Sequence, residues 1–463
     1  LLIPPIRLAG EGHIRLSDEW DFEARVAIKP ISLQKLPQGV SIGAVKAGVL
    51  EISLTMRGYA MDRSSWDASG HIRFTNGLIV LEHLPHAIRN VALTAQFDHQ
   101  SIGVRRLSLT IGDSDLRVRG SIAGWTATPQ ATLVVESSQF DLALLHATGR
   151  SGRDTQRPST SSWWTDSRLT ATVFVQAAYY DRFLFTNTSC RISLNHGVLT
   201  IDHLTGDTDD GHVGGRVVVQ PPERQAGRVK SMFRVSGLPI QRVLSLATKR
   251  NTLEGWMSIN GKMDVELGQA GLVIPSMTGT RPIRLIVEDG RILNVPIMSK
   301  LLSVLNLPAM LQGEVDVTRN GLPFDQLRSA FTIANGLVTF KELVLDSPIL
   351  KISGSGRYDF VADRLDMVLA TSPLGSYSAL LKRIPLFGRL FAGNREGFDT
   401  AVFEVKGASA DPQITYLPVE SLSRGVKGTA QFALDVLVNT LTLPKAMIDD
   451  FLADDDTGGD DAT

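Results

Sequence analysis

The residues best suited to metal chemistry are Asp202, His203, Asp207, Asp209, Asp210 and His212, a run of carboxylates and imidazoles around Gly206 and Gly211. Clustered carboxylates in a glycine-bearing loop are the donor set Ca²⁺ takes. The spacing misses the D-x-D-x-D-G order of a calcium loop, and polar turns between strands have the same composition. The expectation is therefore a turn, with no metal and no cofactor. His83 and His203 fill equivalent places in two related segments, but Glu342 fills the third, which marks a strand-end surface position rather than a ligand. No G-x-S-x-G, H-E-x-x-H or C-x-x-C occurs. Gly255–Met263 approaches a phosphate-binding loop, but five residues separate Gly255 from Gly261 and Met263 stands where Mg²⁺ binding needs Ser or Thr. It reads as a hairpin. Asn187-Thr188-Ser189 matches the glycosylation sequon, a pattern short enough to arise by chance. No converging set of ionisable groups suggests catalysis, so the chain is expected not to be an enzyme.

Composition narrows the classes further. The 463 residues carry 47 Lys and Arg against 48 Asp and Glu, a net charge of −1, so the electrostatic footprint of a nucleic-acid binder is missing. Cys190 is the single cysteine, which excludes an internal disulfide and a cysteine-based metal site. A hydrophobic content of 43% supports a large core, yet no stretch is long and apolar enough to span a membrane as a helix. The chain opens on Leu1 with no signal-peptide pattern, which predicts the C-terminal part of a longer protein.

The elements that would position any site announce themselves by repetition. One phrase is written as Asn76–Leu84, again as His196–Leu204, and again as Asn335–Leu343. Each copy opens on Asn-Gly or His-Gly, a hairpin signal, and runs into aliphatic and β-branched residues. Gly77, Gly197 and Gly336 stand 120 and 139 residues apart, too far for a solenoid rung and suited to a multi-strand unit used repeatedly. Within the phrase the period is two: Ile79 and Leu81, Leu199 and Ile201, Val338 and Phe340 fall on one face. Leu116 and Val118, and Leu350 and Ile352, alternate in the same way in strands downstream of the first and third copies. One apolar and one wet face per strand suits an antiparallel sheet covered on one side. A closed sandwich would show the same alternation.

The chain divides by pattern into a tail of a preceding β unit (1–60), a β-groove repeat (61–147), a polar linker (148–162), a second repeat (163–275), a third β unit (282–418) and a C-terminal helix with an acidic, disordered tail (419–463). Helical spacing occurs at Ile297, Leu301, Val304 and Leu305. It recurs at Leu380, Ile384, Phe387 and Phe391, with Lys382 and Arg389 opposite and Pro385 and Gly388 bending the run. That second stripe reads either as a cap on the open end of the β structure or as an interfacial helix facing a membrane or partner.

The C-terminal third resembles a known family. Gly321–Asp325, the Asn335-Gly336 phrase, Leu345–Pro348 with Gly354-Ser355-Gly356, Ile384–Leu390, and Phe403–Gly407 with Asp411-Pro412 are similar to the C-terminal region of the AsmA-like family, which includes AsmA, TamB and YhdP. The likeness covers about 282–418 and extends more loosely back to residue 61. It implies an elongated, repeated antiparallel β-groove of the bridge-like lipid transfer proteins, a U-shaped sheet with an apolar interior and a few short amphipathic helices near the C-terminus. It also implies the periplasm of a Gram-negative bacterium and an N-terminal helix in the inner membrane that this chain does not contain. The partners implied are phospholipid acyl chains and the inner and outer membranes, or a protein at either. On that footing the trough would be lined by Ile79, Leu81, Leu116, Val118, Leu199, Ile201, Phe331, Ile333, Val338, Phe340, Leu350 and Ile352. The alternative is a non-catalytic assembly factor whose packed β repeats modulate outer-membrane protein insertion through exposed strand edges.

Overall fold

A computed structural model describes residues 8–14, 21–35, 44–59, 61–81, 84–125, 128–147, 167–208, 211–220, 227–247, 252–268, 271–279, 281–293, 301, 321–373 and 401–417. Among these the chain is nearly all strand, with many of the β-branched residues that fit a pleated surface. It forms two compact units, the first covering the chain to Asp209 together with Gly214–Gly227, which holds most of β12, and the second nearly all of the chain from Arg228 onward.

The first unit is one sheet. Its strands are β1 (Leu8–Ile14), β2 (Asp21–Ser32), β3 (Val45–Tyr59), β4 (Asp62–Ile79), β5 (Ile88–Phe97), β6 (Ser101–Ile111), β7 (Ser114–Ala123), β8 (Gln130–Asp141), β9 (Arg168–Tyr180), β10 (Phe183–Asn195) and β11 (Val198–Asp207). Each pairs with the next in sequence. All pairs are antiparallel except β8 with β9, which run parallel from Gln130↔Arg168 to Asp141↔Tyr179. A parallel pair needs a long return path. The return between Asp141 and Arg168 includes helix α1 (Ala143–Ala147) and the polar segment 148–162, which lies outside the described residues. The sheet therefore continues across the linker instead of ending there.

Between β2 and β7 every ladder carries a register shift. An added residue bends and twists the strand that holds it, so five consecutive shifted ladders build curvature into the sheet. Where β8 leaves β7 a carboxylate completes the ladder: Asp115 accepts the backbone N–H groups of Ser138 and Gln139 at 2.8 and 2.9 Å.

The second unit contains β13 (Gly227–Pro239), α2 (Ile240–Ala247), β14 (Leu253–Gly268), β15 (Gly271–Thr278), β16 (Ile283–Ile292), β17 (Leu322–Ala334), β18 (Leu337–Asp346), β19 (Leu350–Asp359), β20 (Arg364–Pro373), β21 (Ala401–Ala408) and β22 (Gln413–Leu417); β12 (His212–Gln220) precedes it. β14 pairs with β16, and from β16 to β22 each strand is antiparallel to the next. Gly255–Met263 is not a hairpin but the interior of β14; Gly255 (φ +134°) sits where the ladder to β16 shifts register.

The repeated phrase builds two different things. His196-Gly197 (φ +46° and +77°) and Asn335-Gly336 (φ +49° and +83°) form the two-residue turns that join β10 to β11 and β17 to β18. Positive φ at both central positions gives the turn whose twist matches its strands. Asn76-Gly77, expected to be a third such turn, instead lies inside the 18-residue strand β4, at a register shift opposite β5. Asn76 (φ +53°) tolerates the left-handed conformation that a bulge needs as readily as one a turn needs. His203 (φ +51°) is likewise a mid-strand bulge residue in β11, not a strand end.

Asp115 supplies a test of this construction. Burial raises its pKa, but the N–H groups of Gln139 and Ser138 outweigh that and hold it below the usual 3.8. A carboxyl depressed in the folded state stabilises fully above its unfolded pKa, and the contribution disappears as pH falls through the folded value. The contribution of Asp115 should be constant from pH 5 to 8 and be lost below about pH 4. Asp115→Asn should lower stability at pH 7 by about 1 kcal/mol and flatten part of the acid limb in urea titrations.

Candidate functional site

Directly opposed residues in a sheet share a face, so the register of the first unit can be followed from strand to strand. One line runs Leu8, Ile28, Ile52, Ile72, Ala95, Val104, Gly120, Leu133, Ala171, Ile192, Ile201, one residue from each of eleven strands, and no member is polar. A parallel line runs Gly10, Val26, Leu54, Gly70, Phe97, Ile102, Ile122, Ala131, Leu169, Leu194, Leu199 across the same strands. A third joins Leu50, Phe74, Leu93, Leu107, Val118, Val135, Val173 and Cys190 from β3 to β10. At roughly 4.8 Å per strand, the eleven-strand rows are about 48 Å long.

The opposite face reads differently. Ala27, Ser53, His71, Gln96, Gly103, Ser121, Thr132, Thr170, Ser193 and Thr200 form the row between the first two apolar ones. Ion pairs such as Arg73–Glu51 (3.8 Å) and Arg119–Glu136 (2.9 Å) stand on that face. These exposed pairs contribute little to stability individually.

The exposure of the apolar rows decides what the face is. From β2 to β11 every large side chain in the three rows is half-buried; only the small Ala95 and Ala171 are buried. The interior between two packed layers would be sealed. Over β2 to β11 the half-exposed apolar face is about 43 Å long, an open trough rather than a sealed interior.

The second unit offers a contrast. Phe331 faces Phe340 across β17 and β18 with ring centroids 5.8 Å apart, and Ile333 faces Val338; all four are half-buried on one face. Leu350 and Ile352 of β19 share that face but are only 2% and 4% exposed. Near them both sides of the sheet are dry: Phe403 on this face and Ser353, Ala370 and Val402 on the other are all 0% exposed.

The expected lining residues therefore separate into three groups. Ile79, Leu116, Val118, Leu199 and Ile201 lie on the apolar face of the first unit; Ile79 reaches it through Ile88 and Ile111. Phe331, Ile333, Val338 and Phe340 form a half-exposed cluster in the second unit, whereas Leu350 and Ile352 belong to a packed interior. Leu81 lies just past the end of β4 and its side chain is 40% exposed. Leu380, Lys382, Ile384, Phe387, Arg389 and Phe391 lie outside the described residues, as do Asp209 and Asp210. Asp202 is paired with Arg216 at 2.7 Å and Asp207 accepts from Asn187 at 3.2 Å. Among the described residues no group of three His, Cys, Asp or Glu is placed to hold a metal.

Sequence reading missed most of the rows, including Ile28, Ile52, Ile72, Val104, Leu133 and Ile192. The signal was present. Wherever the apolar alternation stretches from two residues to three, the ladder shifts: Ile28 to Ile31, Phe74 to Gly77, Ile88 to Val91, Val104 to Leu107, Ile201 to Leu204 and Phe340 to Leu343. Each bulge absorbs the extra residue, so the apolar side chains return to the same face.

No family model, curated protein or solved structure matches the chain.

The two kinds of face respond differently to charge. Ile201→Glu should cost about 1 kcal/mol or less, since the new carboxylate can stay hydrated. Ile352→Glu strands a charge in a dry interior and should cost several kcal/mol, enough to unfold the second unit. Chemical denaturation of the two variants checks this.

Proposed function

We propose that the first unit is a lipid conduit. Its trough holds phospholipid acyl chains and lets them pass along a hydrophobic β-groove between the inner and outer membranes of a Gram-negative bacterium. The location is the periplasm, the tether an inner-membrane helix outside this sequence, and the outcome outer-membrane lipid homeostasis and barrier integrity. The reading joins the resemblance to AsmA-like proteins with one observation, three continuous apolar rows that remain half-exposed along the sheet.

The physical logic is one of uniformity. Each methylene moved from water to an apolar surface gains about 0.8 kcal/mol, so a lipid crossing an aqueous space needs cover throughout its path. Rows of Ile, Leu, Val and Ala provide nearly equivalent positions, and a cargo bound alike at each meets no deep well from which it must climb. Such work calls for no nucleophile, no metal and no cofactor. The dry interior around Ile352 and Phe403 suits a structural role for that part of the second unit.

Native mass spectrometry with lipid extraction, on protein purified gently from a Gram-negative host, tests the reading. Several phospholipids per chain are expected, with occupancy reduced in Ile201→Glu while the fold persists. A lipid-free mass for the wild-type protein, with a cooperative thermal transition, would contradict it.

A further inference from the structure

The polar face of the first unit carries one feature unrelated to the trough. Arg117, Glu136, Phe174 and Ser189 form a single cross-strand row over β7, β8, β9 and β10. Beside it a cavity of about 480 Å³ opens, lined also by Gln176 and Asn187. Phe174 is 49% exposed there, between Glu136 and Ser189 in its row, while the other aromatic residues of this face, Phe140, Tyr180, Phe183 and Phe185, lie further along their strands. What sets this ring apart from other exposed aromatic residues such as Trp66 and Trp125 is its place in the lining of a cavity among polar groups.

The surroundings of the ring are fixed before any ligand arrives. Glu136 is held by Arg119 at 2.9 Å, Asn187 by Asp207 at 3.2 Å and Ser189 by Thr205 at 3.0 Å. Ser138, at the rim, is anchored through its N–H to Asp115. Asn187 (φ +50°) stands at the bulge between Thr186 and Ser189, a device that re-aims a side chain next to a site.

The chemistry of the lining selects the ligand class. The underlying backbone is engaged in ladders on both sides of β8 and β9, so a peptide cannot add as a strand. Arg117 lies beside Asp115 (3.8 Å) in a cavity that also contains Glu136, which leaves no net positive field for an anion. What remains is one flat apolar platform ringed by amide, hydroxyl, carboxylate and guanidinium groups, able to donate and accept at once. The geometry points to a saccharide site: a pyranose ring lays its C–H face on Phe174 while Glu136, Gln176, Asn187 and Arg117 take its hydroxyl or acetamido groups. The volume lies within the roughly 300–1,000 Å³ of small-molecule sites. The inference does not depend on what the trough on the other face carries.

Saturation-transfer difference NMR of the full chain with chitobiose and cellobiose tests it, alongside co-sedimentation with insoluble chitin. Transfer to pyranose C–H protons is expected at millimolar sugar, reduced at least fivefold in Phe174→Ala and retained in Phe174→Trp, which keeps a stacking surface. The thermal transition should be unchanged in both variants. Transfer with co-sedimentation identifies a polymeric glycan as the ligand; transfer with the disaccharides alone identifies a free sugar. No transfer from the wild-type protein, or equal transfer from wild type and Phe174→Ala, overturns the proposal.

Discussion

A one-residue slip in a β-ladder turns over every side chain of the strand beyond it, and the first unit must avoid that consequence ten times in succession to keep one apolar face. It does so with register shifts placed where the sequence itself steps by three. Polar pairs such as Arg105-Arg106 stand between apolar neighbours and are lifted toward water, while Val104 and Leu107 keep to the same side. The same devices bend the sheet. Curvature and facial purity therefore have one cause, and the trough needs both.

The chain uses this scheme with two outcomes. In the first unit the rows stay half-exposed, which leaves apolar surface uncovered. Around β19 to β21 the sheet is dry on both faces, and close packing there specifies one arrangement instead of accommodating many. A guest of variable chain length needs the first kind of surface. A fixed structural element needs the second.

Much of this was legible in the sequence, for reasons specific to particular residues. The period of two around Leu199 and Val338 placed each apolar face correctly, and Gly197 and Gly336 marked true turns because both central residues adopt positive φ. Asn76-Gly77 was misleading because a bulge and a tight turn make the same conformational demand on Asn. The parallel pairing of β8 with β9 was hidden, since periodicity carries no strand direction and the polar segment 148–162 resembles a domain linker. Whether Ile201 and Ile352 lie in a trough or a core was equally invisible: alternation reports which side a residue takes, and burial depends on what lies over it.

The most direct test of the central claim compares adjacent residues on opposite faces of β11. A photo-reactive benzophenone amino acid is placed at Ile201 or at Thr200 and illuminated in living Gram-negative cells, and adducts are resolved by mass spectrometry. An open, lipid-carrying trough predicts phospholipid adducts from position 201 and few or none from 200. Equal yields at the two positions, or cross-links from 201 only to the protein's own side chains, would contradict it.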